Sequence, residues 1–219
     1  MNKIFKSSIG RKIAMALSGL FLVVFLLQHF IINFTSVIDP KIFNAFSHFM
    51  GTNPLVQFVL QPILIAGVLF HFIMGFYLEI QNRKAAKYEY QKEKGSANST
   101  WMSRNMITSG LVILAFLVLH FIDFWVPEMN YKYIEFLPED PNRYYEELVH
   151  KFENPLRVAM YCISFVLLAL HLLHGFTSSL RSMGTNKSYV SSAKTAGIVY
   201  SIGIPLGFCV IAIFHYLNH

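Results

Sequence analysis

The stretch that decides the fold is Leu170-His171-Leu172-Leu173-His174-Gly175, which places two imidazoles inside an apolar run from Val158 to Leu180. That run is long enough for a helix to cross a bilayer, which takes about 20 residues. A hundred residues earlier, Phe70-His71-Phe72-Ile73-Met74-Gly75 again has a histidine followed four residues later by glycine, and on a helix these two positions share one face. Ionisable side chains inside a span are rare and indicate a functional site.

The composition of the 219-residue chain is typical of a membrane protein. It is 54% hydrophobic and 14% charged, and its apolar residues come in blocks. The first block follows a basic segment, but its apolar run exceeds that of a signal peptide and no cleavage site ends it, so we predict a retained helix. The predicted fold is therefore an all-α membrane protein, a single domain with five transmembrane helices. These spans are predicted at about residues 13–34, 55–78, 105–126, 158–180 and 195–217.

Lys and Arg are concentrated in alternate connections between the predicted spans. The N-terminal arm, the connection from Glu79 to Arg104 and the connection from Arg181 to Lys194 hold thirteen of the 18 Lys and Arg residues. The positive-inside rule therefore predicts a cytoplasmic N-terminus and a C-terminus on the outer side. Because topology accounts for the net charge of +6, we expect no nucleic-acid partner.

The two outer connections contain signals for short interfacial helices. Asp39-Pro40 and Gly51 are the start and stop signals of a helix over about 40–50. A second helix is predicted over about 141–152, with Tyr144, Tyr145, Leu148 and Val149 on its apolar side. Asn53-Pro54-Leu55 and Asn154-Pro155-Leu156 are predicted to cap spans two and four.

Spans one and three share a second pattern. Ser18-Gly19 precedes His29 by eleven and ten residues, and Ser109-Gly110 precedes His120 by the same distances. Spans one and two thus resemble spans three and four, which predicts an internal two-fold repeat with span five left over.

The predicted topology sorts four histidines into two layers. At ~1.5 Å per residue, His29 and His120 lie roughly 8 Å from the outer ends of their spans, and His71 and His171 lie about 10–14 Å from the inner ends. The layers are very roughly 10 Å apart in a ~30 Å core. Each layer holds one histidine from each of two helices, which is the requirement for a bis-histidine haem. We therefore predict an inner haem on His71 and His171 and an outer haem on His29 and His120.

Small residues accompany these histidines. We expect Gly75 and Gly175 to leave room for the inner macrocycle. Three helical turns place Ser18 and Ser109 ~16 Å below the outer histidines, at the inner haem's level or just beneath it. There a hydroxyl could bond a propionate, and Gly19 and Gly110 would make room for the ring. His174 stays an alternative inner ligand, although only His171 reproduces the His-x-x-x-Gly of span two.

The other candidate residues are assigned ordinary roles. Zinc or copper would need ligands that converge at one depth, whereas the four histidines divide two and two. A transporter whose histidines relay protons is an alternative of a different class. Cys162 and Cys209 lie inside spans and are predicted to be buried, inert thiols. Solvated or interfacial positions are predicted for His48, His150, His215 and His219.

Together these motifs resemble one family over nearly the whole chain. It is the single-chain, five-helix, di-haem cytochrome b subunit of succinate:quinone oxidoreductases, which includes succinate dehydrogenases and fumarate reductases that use menaquinone. The resemblance rests on Gly10-Arg11-Lys12 leading to Ser18-Gly19, Leu27-Gln28-His29-Phe30, Phe70-His71 with Gly75, Ser103-Arg104-Asn105-Met106 leading to His120, and His171 with Gly175.

The resemblance implies a membrane anchor in the bacterial inner membrane, serving the respiratory chain and the tricarboxylic acid cycle. Its cytoplasmic face would dock an iron–sulfur subunit carrying an FAD flavoprotein, where succinate is oxidised, and electrons would pass through two haem b groups to menaquinone. A homo-oligomer of the whole complex is compatible with this family. A haem b anchor of a hydrogenase or formate dehydrogenase is the alternative within respiratory enzymes.

The sequence marks the quinone site and the reaction direction only weakly. Asn33, His48 and Asn53 are polar groups near the outer end that could meet a quinone carbonyl or cap a helix. Glu79 and Asp123 lie at span edges, and Ala169 stands where some fumarate-reducing relatives carry glutamate. The absence of a deep carboxylate favours succinate oxidation over fumarate reduction.

Overall fold

In a computed structural model, the chain is described over residues 7–89, 105–182 and 187–218. These residues form helices and turns, and no strand is present among them. In chain order the helices are α1 (Ser8–Ile38), α2 (Pro40–Thr52), α3 (Gln61–Glu89), α4 (Met106–His120), α5 (Val126–Tyr133), α6 (Arg143–Phe152), α7 (Pro155–Ser182) and α8 (Lys187–Leu217). One π-helical turn, Val56–Leu60, precedes α3, and another, Phe121–Trp125, joins α4 to α5.

Five helical segments are long and apolar enough to cross a membrane, which confirms the predicted all-helical, multi-pass class. Their outward-facing sides carry large apolar residues, among them Val24, Ile73, Val166 and Val199, each more than half exposed. Apolar surface of this extent is stable against lipid and not against water. The segments, called spans one to five below, are Ser8–Ile38, Val56–Lys84, Met106–Tyr133, Pro155–Leu180 and Ala193–Leu217.

Local capping chemistry fixes where several helices start. The Asn53 side chain accepts hydrogen bonds from the backbone N–H groups of Leu55 and Val56, at 3.0 and 3.3 Å. Asn154 does the same for Leu156 and Arg157, at 2.9 and 3.2 Å. A proline follows each asparagine, where its missing N–H leaves no donor unpaired. The predicted Asn-Pro-Leu caps are thus confirmed.

The first four spans form a closed ring. Span one packs along span two, span two along span three, span three along span four, and span four along span one. Spans one and three are therefore diagonal partners, as are spans two and four. Span five lies outside the ring in the groove between spans one and four.

The short helices α2 and α6 cover one end of the bundle, which is the outer end in the predicted topology. They lie where helices over about 40–50 and 141–152 are expected. In α6 the side chains of Leu148, Val149 and Phe152 are buried, as its apolar pattern predicts. Leu148 and Phe152 join the main core between spans four and five, which includes Phe165 and Ile211.

A charged cluster ties α5 to α6 at this covered end. Glu128 forms ion pairs with Lys132 and Arg143, and the Arg143 guanidinium lies 4.0 Å and 4.4 Å from the ring centroids of Tyr131 and Tyr144. Burial works to lower the pKa of Arg143, but hydrogen bonds to neighbouring carboxylates raise it above its usual value. Burial and then the charge of Glu128 raise the pKa of Tyr144 to about 12. Arg143 therefore stays charged at any physiological pH.

The structure corrects two predictions made for this end of the bundle. His215, expected to be solvated, has no exposed surface, and its Nε2 lies 2.9 Å from Ser36 Oγ. Asp123, expected at the edge of span three, lies ten residues before the observed end of that span at Tyr133 and is only 2% exposed. The His215 error arises because position along a helix gives depth but not which face turns inward. The Asp123 error arises because the helix of span three continues beyond the predicted end at about residue 126. His150 is exposed as predicted, and His219 lies outside the described residues.

Candidate functional site

The structure brings the four span histidines together as two pairs. The ring centroids of His71 and His171, called the inner pair, are 6.4 Å apart with an interplanar angle of 68°. Those of His29 and His120, called the outer pair, are 5.7 Å apart and nearly perpendicular at 89°. Each pair joins diagonal spans of the ring, so both lie on the bundle's central axis.

The separation within the pairs suits one iron between two imidazoles. A metal–imidazole bond is about 2.0 Å long and the ring centroid lies about 1.1 Å behind the nitrogen, so two axial imidazoles on one iron hold their centroids about 6.2 Å apart. The inner pair is within about 0.2 Å of this value. The outer pair is about 0.5 Å short of it, which a small outward shift of each ring would supply.

The donor set at each pair favours a macrocycle over a bare metal ion. Among the described residues, no group of three or more His, Cys, Asp or Glu side chains is arranged to hold a metal ion. A zinc site needs three or four protein ligands, whereas the porphyrin of a haem supplies four equatorial nitrogens and needs only two axial ones. Two histidines on opposite sides of a bundle axis therefore fit a haem.

Serine hydroxyls contact both inner histidines. Ser18 Oγ of span one lies 3.0 Å from His71 Nδ1, and Ser109 Oγ of span three lies 3.2 Å from His171 Nδ1. These serines were expected to face a haem propionate. In the structure they instead hold the imidazole of the neighbouring span, which leaves Nε2 as the ring nitrogen without a serine partner.

Glycines let the helices approach the inner pair closely. A Cβ atom at Gly19 would lie 3.4 Å from His71 Cε1, and one at Gly110 would lie 3.9 Å from His171 Cε1. Both glycines therefore lie against the imidazoles, where room for the macrocycle was expected. An added Cβ at either position would make ordinary van der Waals contact with the imidazole, so only a side chain that extends beyond Cβ would press on the ring.

The other two glycines of the motif face methionines. A Cβ at Gly75 would lie 3.5 Å from the methyl group of Met15, and one at Gly175 would lie 3.6 Å from that of Met106. Methionine is the most adaptable apolar side chain in a core, so these methyl groups can move away from a bound ring. The glycines thus mark space that a flexible side chain fills. Neither methionine was among the predicted site residues, although each lies three residues before its serine.

Aromatic rings enclose the outer pair. His29 stacks on Phe25 at 5.5 Å and lies 5.7 Å from Phe208 of span five. His120 contacts Phe124 at 5.2 Å, Phe116 at 5.9 Å and Tyr161 at 6.4 Å. The fifth span, left over in the sequence analysis, therefore completes this site through Phe208. Its long apolar run gave no signal of that role.

The remaining candidates divide between the outer pair and the covered end. The Asn33 amide donates to the backbone carbonyl of His29 at 2.8 Å and lies 3.4–3.5 Å from its ring nitrogens. The Asn53 oxygen is used in the cap of span two. His48 packs against the Tyr144 ring at 6.2 Å. His174 is partly buried on span four, and the ring that faces His71 is that of His171.

Neither a family model, nor a curated protein, nor a solved structure gives a match to this chain. The functional assignment therefore depends on its own residues and their geometry.

One buried polar cluster near the outer pair was not anticipated. Asp123 Oδ1 lies 3.1 Å from Arg157 Nη1, and the Tyr161 hydroxyl donates to Asp123 Oδ2 at 2.8 Å. The ion pair links spans three and four, one helical turn beyond His120. Arginine at the start of span four was the available signal, because a buried carboxylate needs a cation close by.

Proposed function

We propose that this chain is the di-haem cytochrome b anchor of a succinate dehydrogenase, passing electrons from a cytoplasmic iron–sulfur and flavoprotein pair to menaquinone. The observation that carries the proposal is the pairing of four histidines on diagonal spans at two levels of the bundle. The 6.4 Å separation of the inner rings supports haem in particular. The family itself is proposed from the motif resemblance.

In this proposal each residue of the site has a defined task. His71 and His171 bind the inner haem iron, and His29 and His120 bind the outer one. With both axial positions taken by histidine, a haem transfers electrons and does not activate oxygen. The aromatic rings around His29 and His120 exclude water from the outer site. No catalytic residue for succinate is proposed in this chain.

The contacts along span one give the distance between the two levels. Ser18 contacts the inner pair and His29 belongs to the outer pair, eleven residues further along the same helix. At ~1.5 Å per residue the levels are about 16 Å apart along the helix axis, more than the ~10 Å expected from the predicted topology. The proposed electron path therefore covers about half of a ~30 Å bilayer core.

Matching contacts also support the proposed two-fold repeat. The serine–histidine contact of spans one and two recurs in spans three and four, and so does the glycine–methionine contact. The proposed orientation, with the N-terminus in the cytoplasm, follows from the basic connections. Those connections fall largely outside the described residues, so the docking face for the iron–sulfur subunit is proposed from charge alone.

Menaquinone is proposed to bind near the outer pair, where the Asn33 amide lies beside His29. The direction of succinate oxidation is proposed because Ala169 supplies no carboxylate and because Asp123 is already neutralised. Its two oxygens are held by Arg157 and Tyr161. A fumarate reductase remains the alternative direction for the same architecture.

Haem counting in purified variants tests the proposal. The full chain, expressed in a haem-producing host, should bind two b-type haems, seen in reduced-minus-oxidised spectra and counted per chain. His71→Ala or His171→Ala should leave only the outer haem, and His29→Ala or His120→Ala should leave only the inner haem. The control is His150→Ala, because this side chain is 76% exposed and outside the bundle. Absence of any b-type signal in the parent chain would refute the function.

Two further outcomes would change the assignment in defined ways. Loss of the inner haem in His174→Ala, with its retention in His171→Ala, would make His174 the inner ligand in place of His171. Copurified subunits identify the complex: flavin and iron–sulfur proteins support succinate dehydrogenase. A nickel or molybdenum subunit would instead make the chain the anchor of a hydrogenase or formate dehydrogenase.

A further inference from the structure

The hydroxyl group of Ser18 makes two contacts with one proton. Its Oγ donates to the backbone carbonyl of Met15 at 2.8 Å and lies 3.0 Å from His71 Nδ1. A serine hydroxyl has one donor proton and two acceptor lone pairs. Because the hydroxyl proton is used in the hydrogen bond to the Met15 carbonyl, the Ser18 oxygen can only accept a hydrogen bond from the imidazole. Both contacts are satisfied together only when His71 carries its proton on Nδ1.

The same accounting applies on the other side of the bundle. Ser109 Oγ donates to the Met106 carbonyl at 2.9 Å and lies 3.2 Å from His171 Nδ1. His171 is therefore also assigned the tautomer with a proton on Nδ1. Two independent serines on two different spans thus give the two inner histidines one protonation pattern.

We propose that Ser18 and Ser109 are positioning residues that hold His71 and His171 with Nδ1 protonated, so that Nε2 of each ring is the ligand atom. The inference rests on the proposed function for the identity of the metal group. Hydrogen bonding of the second ring nitrogen fixes the orientation of a ligating histidine and raises its basicity. The serines thereby set the electron density that the inner axial ligands supply.

This role excludes the one expected from the sequence. A haem propionate accepts hydrogen bonds and needs a donor, but each serine hydroxyl already donates its single hydrogen bond to a backbone carbonyl. A propionate could take that proton only by breaking the contact with Met15 or Met106. The two roles therefore predict different effects of removing the hydroxyl.

The outer pair has no equivalent device among the described residues. His120 Nδ1 is buried without a hydrogen-bond partner. Asn33 reaches both ring nitrogens of His29 only at 3.4–3.5 Å, and its short bond goes to the backbone carbonyl. The serine contacts are therefore specific to the inner pair, and their removal should leave the outer site unchanged.

The test compares Ser18→Ala and Ser109→Ala with a rescue and a control in the full-length chain. Ser18→Thr keeps the hydroxyl and should behave as the parent. Ser164→Ala is the matched control, because Ser164 is a buried serine that donates to its own helix at 2.8 Å with no histidine contact. Redox titration and low-temperature electron paramagnetic resonance of the ferric haems are the readouts.

In Ser18→Ala and Ser109→Ala, the ferric resonance of the inner haem should shift and its midpoint potential should rise, while the outer haem stays as in the parent. The midpoint potential rises because a loss of imidazole basicity lowers the affinity for ferric iron more than the affinity for ferrous iron. A tenfold selective loss of ferric affinity corresponds to about 59 mV. Haem affinity should fall by about ten- to a hundredfold, as for other second partners of ligating histidines. A lower content of inner haem, with the remaining inner haem unshifted in its ferric resonance and midpoint potential, would overturn the proposal and favour the propionate role.

A measurement without haem separates this inference from the proposed function. Nitrogen-15 NMR of histidine-labelled, haem-free chain in lipid should assign His71 and His171 to the tautomer protonated on Nδ1. Ser18→Ala should release His71 from that tautomer, and Ser164→Ala should not. An Nε2-protonated His71 in the parent chain would refute the positioning role even if both haems bind.

Discussion

Replacing Arg157 by methionine removes the counter-charge of a buried carboxylate. Asp123 is 2% exposed, and its carboxylate forms an ion pair with the Arg157 guanidinium at 3.1 Å and accepts a hydrogen bond from the Tyr161 hydroxyl at 2.8 Å. Methionine keeps most of the apolar stem of arginine and deletes its charge. In Arg157→Met the carboxylate would keep one neutral hydrogen bond and no cation.

The expected loss follows from how much water can reach each partner. Breaking a buried ion pair by removing one member costs about 3–5 kcal/mol, because the other charge is left uncompensated. Arg157 is 30% exposed, so water screens part of the pair, and we expect about 3 kcal/mol. Asp123→Asn should cost less, about 1–3 kcal/mol, because the guanidinium left behind reaches water and the Tyr161 hydroxyl keeps an amide oxygen as acceptor.

The assay is the free energy of unfolding in mixed detergent micelles, followed by loss of helical circular dichroism. Arg157→Met, Asp123→Asn and the double variant form a cycle, and the double variant should recover about 2 kcal/mol relative to the sum of the two single changes. Arg83→Met is the control, because its ion pair with Glu79 is 69% exposed on the arginine side and should contribute under 1 kcal/mol. Additive single changes, or equal effects at Arg157 and Arg83, would refute the reasoning.

Two further predictions concern helix contacts in span five and at its end. Gly207→Ala should lower the free energy of unfolding by about 1–3 kcal/mol, because a Cβ there would lie 2.3 Å from the Phe30 ring. Gly203→Ala should raise the free energy of unfolding by up to about 1 kcal/mol, because a Cβ there would have nothing within 4 Å. Thermal melts of both variants in detergent check the difference, and equal melting temperatures would contradict it. Ser36→Ala should lower the free energy of unfolding by about 1–3 kcal/mol, since it removes the hydroxyl 2.9 Å from the buried His215 nitrogen. A change below 0.5 kcal/mol in detergent denaturation, a bound typical of surface substitutions, would show that this contact stabilises little.

Features that depend on a few neighbouring residues were predictable from the sequence. The caps at Asn53 and Asn154 need only an oxygen acceptor, a proline and the first free N–H groups of a helix. The five spans follow from length and hydropathy, since lipid requires every backbone group to be paired within the helix. The ends of spans one, two and three were placed too early, because helical hydrogen bonding continues into the polar residues beyond each apolar block, whereas the ends of spans four and five match the structure.

Features that depend on helix rotation and on partners from distant segments were not predictable. His215 and Asp123 lie near the predicted ends of their spans, where facing water and facing the core are equally compatible with the sequence. Their partners, Ser36 and Arg157, come from other spans. The serines of spans one and three were placed at the correct level, but their contact with an imidazole of the adjacent span depends on how the ring of helices closes.

The periodicity of spans one and three explains how the two histidine layers share one bundle. Eleven residues correspond to just over three helical turns, so Ser18 and His29 lie within about 20° of each other around span one. A single inward-facing stripe therefore supplies a serine to the inner pair and a histidine to the outer pair. Span three repeats this with Ser109 and His120. Because spans one and three each contact both layers through one face, rotating either of them away from the axis would disturb an inner histidine's hydrogen bond and an outer histidine together. The spacing of eleven is thus the sequence feature that couples the two sites.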